Sequence, residues 1–92
     1  MSDITRDYSF GGWLRTFRLK RRIGLREMAR RLDSDPANYC NIERSRTDPP
    51  AKITTIRKLV APLALDESEI EMLISTAFSF HLAKFKQKWN EE

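Results

Sequence analysis

Residues 31–50, RLDSDPANYCNIERSRTDPP, leave the chain little latitude. Asp35 is suited to cap a helix, because its carboxylate can accept a backbone N–H of the first turn. Pro36 suits the first helical position, where the missing N–H has no intrahelical partner to lose. A helix is therefore expected from Pro36 to about Arg44, with Tyr39 and Ile42 turned inward. Its other face holds Ala37, Asn38, Asn41 and Arg44, and is neither a charged stripe nor an apolar one. Just upstream, Leu25, Met28, Ala29 and Leu32 recur at i, i+3, i+4 and i+7, which is one buried stripe. Arg26, Glu27, Arg30 and Arg31 lie outside it. Two short helices joined by a tight turn, the second with a plain polar outer face, make a helix-turn-helix.

The same periodicity predicts an all-α chain of five helices with no strand. A first helix runs from about Phe10 to Arg22, capped by Ser9 or Asp7, with Phe10, Leu14 and Phe17 inward and Trp13 beside them. Gly11 and Gly12 weaken its first turn by about 1 kcal/mol each relative to alanine. Gly24 separates it from the second helix, Leu25 to Leu32. A fourth helix is expected from Lys52 to Ala61, burying Ile53, Ile56, Leu59 and Val60. Pro62 ends it, since a proline there removes a helix hydrogen bond and clashes one turn back. A fifth starts at Asp66, with Glu69 completing a capping box, and extends to about Trp89. Residues 1–9 read as a flexible N-terminus, 10–65 as the helix-turn-helix unit and 66–92 as a C-terminal helix.

Composition narrows the function. Ninety-two residues make one domain. Residues 1–60 carry 14 Lys/Arg against 7 Asp/Glu, and residues 61–92 carry 3 against 6, so a +7 front and a −3 back give the net +4. A basic front is what a polyanion partner requires. Cys40 and His81 are the sole cysteine and histidine, too few for zinc, iron–sulfur or redox motifs. Cys40 reads as a small filler and His81 as a surface or interface side chain. No stretch approaches the ~20 apolar residues of a membrane span, nor does the N-terminus read as a secretion signal. A reducing cytoplasm is the expected location, with no cofactor, no metal and no enzyme activity, since no base, nucleophile and oxyanion donor can be assembled.

At this point the residues invite comparison with a family. LRTFRLKRRIGLREMARRLDSDPANYCNIERSRTDPP resembles the Cro/repressor-type (XRE) DNA-binding proteins. Leu14, Arg15 and Arg18 match that family's Leu-Arg-x-x-Arg element, and Ile23, Met28 and Ala29 match the second helix. Ile42 and Glu43 match its Ile-Glu pair, and Pro50 matches its later proline. Leu25 stands where the family has Gln, and Asp33 and Ser45 stand where it has Gly. A left-handed cap at Ser45 would cost about 1–2 kcal/mol.

The resemblance implies a lambda-repressor-like fold and sequence-specific binding of double-stranded DNA, most simply by a transcriptional repressor acting as a homodimer. The helix from Pro36 would lie in the major groove. Asn38 and Asn41 would read base edges, as Asn does at adenine, and Ala37 would offer a methyl group. Arg21, Arg22, Arg26, Arg44, Arg46 and Lys52 would contact the backbone. Arg18 and Glu43 would form a salt bridge that orients the reading helix without reading.

The tail carries a second pattern. Phe78, Leu82, Phe85 and Trp89 fall at i, i+4, i+7 and i+11, flanked by Lys84, Lys86 and Lys88. A contiguous aromatic patch marks an interface, for a second copy or for another protein. The alternative is a tail folded back over Trp13 and Phe10. FSFHL also alternates with period two, so a short exchanged strand stays open. Members of the family serve as antitoxins, so a toxin-like partner gripped by this stripe is the rival function. A helical adaptor without DNA binding is a third.

Overall fold

In the computed structural model, which describes residues 9–91, the chain is all-helical. Among the described residues, five α-helices follow one another: α1 (Phe10–Lys20), α2 (Leu25–Arg31), α3 (Pro36–Glu43), α4 (Ile53–Val60) and α5 (Glu67–Glu91), with a 3-10 turn at Ala61–Leu63. The expected N-terminal arm, up to residue 8, lies outside the described residues. Ser9 caps α1 by accepting the Gly12 N–H at 3.1 Å. Asp35 caps α3 with one carboxylate oxygen, which accepts the N–H groups of Ala37 and Asn38 at 3.0 and 3.3 Å.

A capping box starts α5. The Asp66 carboxylate accepts the Glu69 N–H at 2.8 Å, and Glu69 accepts the Asp66 N–H at 3.1 Å. The Glu69 N–H and the Ser68 hydroxyl hold the Asp66 carboxyl below the usual carboxylate range. Pro62 sits inside the 3-10 turn, so α4 tightens into that turn before it stops.

The first three helices end in the same way. At the end of α1, the Arg22 N–H reaches Leu19 O and the Ile23 N–H reaches Arg18 O. The Asp33 and Ser34 N–H groups do this for α2 with Arg30 O and Ala29 O, and those of Ser45 and Arg46 for α3 with Ile42 O and Asn41 O. This paired closure needs a left-handed residue just past the helix. Arg22, Asp33 and Ser45 take it, at φ 58°, 56° and 58°, and none is glycine. Gly24 is the extended N-cap of α2 instead, at φ −74°.

The core draws on all five α-helices and the 3-10 turn. Leu14, Met28, Leu63 and Leu73 are fully buried there, with Phe10, Phe17, Ile56, Val60 and Ala77 around them. Trp13 is half-buried and stacks on Phe17, with centroids 5.8 Å apart. Ile53 departs from expectation: α4 begins at that residue, not at Lys52, and its side chain is 53 % exposed. Ile53 is the first residue of α4, one turn before the stripe at Ile56 and Val60 that is buried. An exposed bidentate pair, Arg57 to Glu67 at 3.0 and 3.1 Å, ties α4 to α5.

The left-handed caps generate a stability prediction. Asp33 makes no side-chain hydrogen bond among the described residues, so Asp33→Gly removes only the strain of a β-carbon at positive φ. It is expected to raise unfolding stability by about 1 kcal/mol in urea titration.

Candidate nucleic-acid interface

The outer face of α3 exists because its inner face is fixed. Arg18 on α1 and Glu43 at the end of α3 are both 5 % exposed. They form a two-pronged pair, Nε to Oε2 at 2.6 Å and Nη2 to Oε1 at 3.0 Å. The third guanidinium nitrogen, Nη1, donates to Ile23 O at 2.7 Å, in the link between α1 and α2. One side chain thus binds three segments. The Glu43 carboxylate raises the Arg18 pKa beyond its ordinary value, against the lowering effect of burial. Tyr39 packs beside the pair at 1 % exposure. Burial first, then the adjacent Glu43 carboxylate, push its phenol pKa well up, and its hydroxyl makes no hydrogen bond within the described structure.

Gly11 sets how closely α1 approaches. A β-carbon there would lie well inside van der Waals contact of the backbone oxygens of Ile42 and Glu43. The glycine that weakens the first turn of α1 is therefore what lets α1 press against the end of α3. Ser9 and Ser45 reinforce the same junction, with hydroxyls 3.1 Å apart.

With α3 so held, its far side is open. Pro36, Ala37 and Asn38 are exposed, and Cys40 and Asn41 are half-buried. Neither the Asn38 nor the Asn41 amide is committed to a side-chain hydrogen bond among the described residues. Asp35, whose carboxylate sits near this face, spends it on the α3 N–H groups.

The cations sort into two groups. Arg22, Arg26, Arg44, Arg46 and Lys52 are exposed and without an ion-pair partner among the described residues. Arg15, Lys20 and Lys58 also lack one, so position, not freedom, distinguishes the five. Arg22 and Arg26 bracket the start of α2, Arg44 and Arg46 follow α3, and Lys52 is the N-cap of α4.

Arg21 does not join them. Its Nε donates to Leu63 O at 2.9 Å, and its Nη2 lies 3.5 Å from a Glu69 carboxylate oxygen. The Arg21 side chain, expected at the DNA backbone, is engaged within the fold by the carbonyl at the end of the 3-10 turn. Arg30 and Arg31 share Glu27, which holds the Glu27 pKa below its usual range.

The aromatic stripe of α5 also stands apart from the core. Phe78, Leu82, Phe85 and Trp89 are exposed, so the fold-back over Trp13 and Phe10 does not occur. Sequence reasoning missed two anchors on the same helix. His81 Nε2 lies 2.9 Å from Pro49 O, and Lys84 Nζ lies 2.6 Å from an Asp48 carboxylate oxygen. Both fasten α5 to the loop that follows α3. Between that loop, the start of α1 and α5 lies an open cavity of about 470 Å³, lined by Gly11, Ser45, Thr47, Ser79 and Phe80 among others. Among the described residues, no helix is long and apolar enough to cross a membrane. Comparison of the chain with protein-family models, curated proteins and solved structures finds no match.

Two substitutions test how α3 is held. Glu43→Gln leaves Arg18 buried without its counter-charge and is expected to cost about 3–5 kcal/mol, whereas Arg18→Met with Glu43→Leu recovers most of that loss. Gly11→Ala is expected to cost about 1–3 kcal/mol, as backbone has to move to admit a methyl group. Thermal unfolding with circular dichroism reads both.

Proposed function

We propose that the chain binds double-stranded DNA, with α3 entering the major groove and α2 crossing the backbone beside it. The observation that carries this reading is the open polar face of α3, fixed from behind by a buried ion pair, in a chain whose exposed Arg22, Arg26, Arg44, Arg46 and Lys52 have no ion-pair partner among the described residues. Small side chains at Ala37, Asn38 and Asn41 let a helix approach base edges closely, and each amide offers the donor and acceptor that adenine presents. Arg22, Arg26, Arg44, Arg46 and Lys52 supply positive charge on the segments flanking that face, where a duplex backbone would run. The resemblance to Cro/repressor-type proteins points the same way, and regulation of transcription is the role such a reader serves.

The second reading, in which a partner protein is the main ligand, rests on the exposed stripe of α5. Repeated selection of bound sequences from a random duplex pool decides the first. An enriched motif supports it. Absence of any duplex binding at ~50 mM salt leaves the adaptor reading in its place.

If the five cations neutralise five phosphates, log K falls against log salt with a slope of about −4 to −5. Arg44→Ala is expected to lower affinity evenly across sequences and to reduce that slope by about 1. Asn41→Ala is expected to cost about 1–3 kcal/mol on the selected site only, relaxing one base position. Fluorescence anisotropy at several salt concentrations measures all three.

A further inference from the structure

Every second residue of the loop after α3 lines the open cavity of about 470 Å³: Ser45, Thr47 and Pro49. The residues around and between them, Arg44, Arg46 and Asp48, do not. The loop thus turns a neutral side to the cavity and keeps its charges off it. From α5, Ser75, Thr76, Ser79 and Phe80 line the cavity at i, i+1, i+4 and i+5, which is one face of a helix. Among the described residues that line it, none is charged.

The walls are held in place by the fold itself. The Arg46 N–H donates to Asn41 O at 2.9 Å, and the Ser45 and Ser9 hydroxyls lie 3.1 Å apart. Pro49 O lies 2.9 Å from His81 Nε2, and Asp48 pairs with Lys84. The loop is thereby pinned to α3, α1 and α5. Phe80 is fixed as well: the His81 ring meets it edge-on at 5.2 Å, and Lys84 Nζ lies 5.8 Å from its centroid. Its ring is nevertheless 40 % exposed. The volume falls within the roughly 300–1,000 Å³ of ligand sites, which are largely formed before the ligand arrives.

We propose that this cavity binds a small uncharged ring compound with an amide or carbonyl at its edge. Phe10, Ile42, Pro49 and Phe80 give a flat ring apolar contact, with stacking available at Phe80. Thr76 spends its hydroxyl on Leu73 O at 2.8 Å. The hydroxyls of Thr47, Ser75 and Ser79 make no hydrogen bond among the described residues, and each can donate or accept. A charged ligand would give up its hydration with no opposite charge in the lining to replace it. One consequence rests on the DNA reading. The same loop carries Arg44 and Arg46, so a ligand on its neutral side braces the segment that bears two of the proposed phosphate contacts. A loop already ordered costs less to order on a duplex, and the coupling is reciprocal.

Amide-detected NMR of the full chain, without DNA, tests the site with nicotinamide as the probe and nicotinate as its charged counterpart. Saturable shifts at Ser45, Thr47, Ser79 and Phe80 are expected, with a Kd of about 1–10 mM. Nicotinate is expected to bind about tenfold more weakly or worse. Ser79→Leu, which fills the cavity from an exposed helix position, is expected to weaken nicotinamide about tenfold, with unchanged circular dichroism. Thr47→Val, which keeps the shape and removes one hydroxyl, is expected to weaken it several-fold. No saturable shift up to about 100 mM nicotinamide, equal binding of nicotinate, or binding indifferent to both substitutions overturns the site. Nicotinamide is further expected to tighten duplex binding about twofold or more in the wild type and not in Ser79→Leu. An unchanged duplex affinity overturns the coupling. A chain that binds nicotinamide but no duplex removes the DNA reading alone.

Discussion

The architecture depends on one buried ion pair. Arg18 and Glu43 are 25 residues apart and meet with both prongs engaged, while the remaining Arg18 nitrogen holds Ile23 O. Burying two charges costs several kcal/mol per ion unless their hydrogen-bonding capacity is filled, and here the guanidinium satisfies three acceptors. A hydrophobic replacement could match that stability. It would not specify an angle, because apolar contacts have no direction. The pair does, and the angle it sets is that of α3.

Much of this was legible in the sequence. Helical periodicity placed all five helices to within a residue or two, because α1 and α2 carry clean stripes and Asp35-Pro36 and Asp66…Glu69 are strong start signals. Arg18 and Glu43 were recognisable as partners through family resemblance alone; nothing in local patterning distinguishes them from surface charges. Ile53 was misplaced because its spacing to Ile56 and Val60 fits a buried stripe, and only the three-dimensional structure shows its side chain exposed. Gly11 read as a weakness, since a close backbone approach leaves no trace in one-dimensional spacing. The left-handed caps were half visible: Ser45 stood out against a family glycine, while Arg22 did not.

The electrostatic front of the molecule is more selective than its composition suggests. Arg18, Arg21, Arg30, Arg31 and Arg57 are each engaged by a carboxylate within the fold. These arginines serve cohesion. Arg22, Arg26, Arg44, Arg46 and Lys52 have no ion-pair partner among the described residues, so the exposed positive charge comes from a minority of the basic residues. Exposed pairs such as Arg57–Glu67 add little stability on their own, but they remove charge that would otherwise blur the pattern.

The anchors at His81 and Lys84 divide α5 into unequal parts. Up to Lys84 the helix is riveted to the domain by core packing and by the Asp48–Pro49 strap. Past it, residues 85–89 are exposed, Phe85 and Trp89 at 61 % and 69 %. A helix end without tertiary support opens at little energetic cost, so amide protection along α5 must fall away sharply after the strap. The last turns of this helix owe their permanence to whatever lies against them.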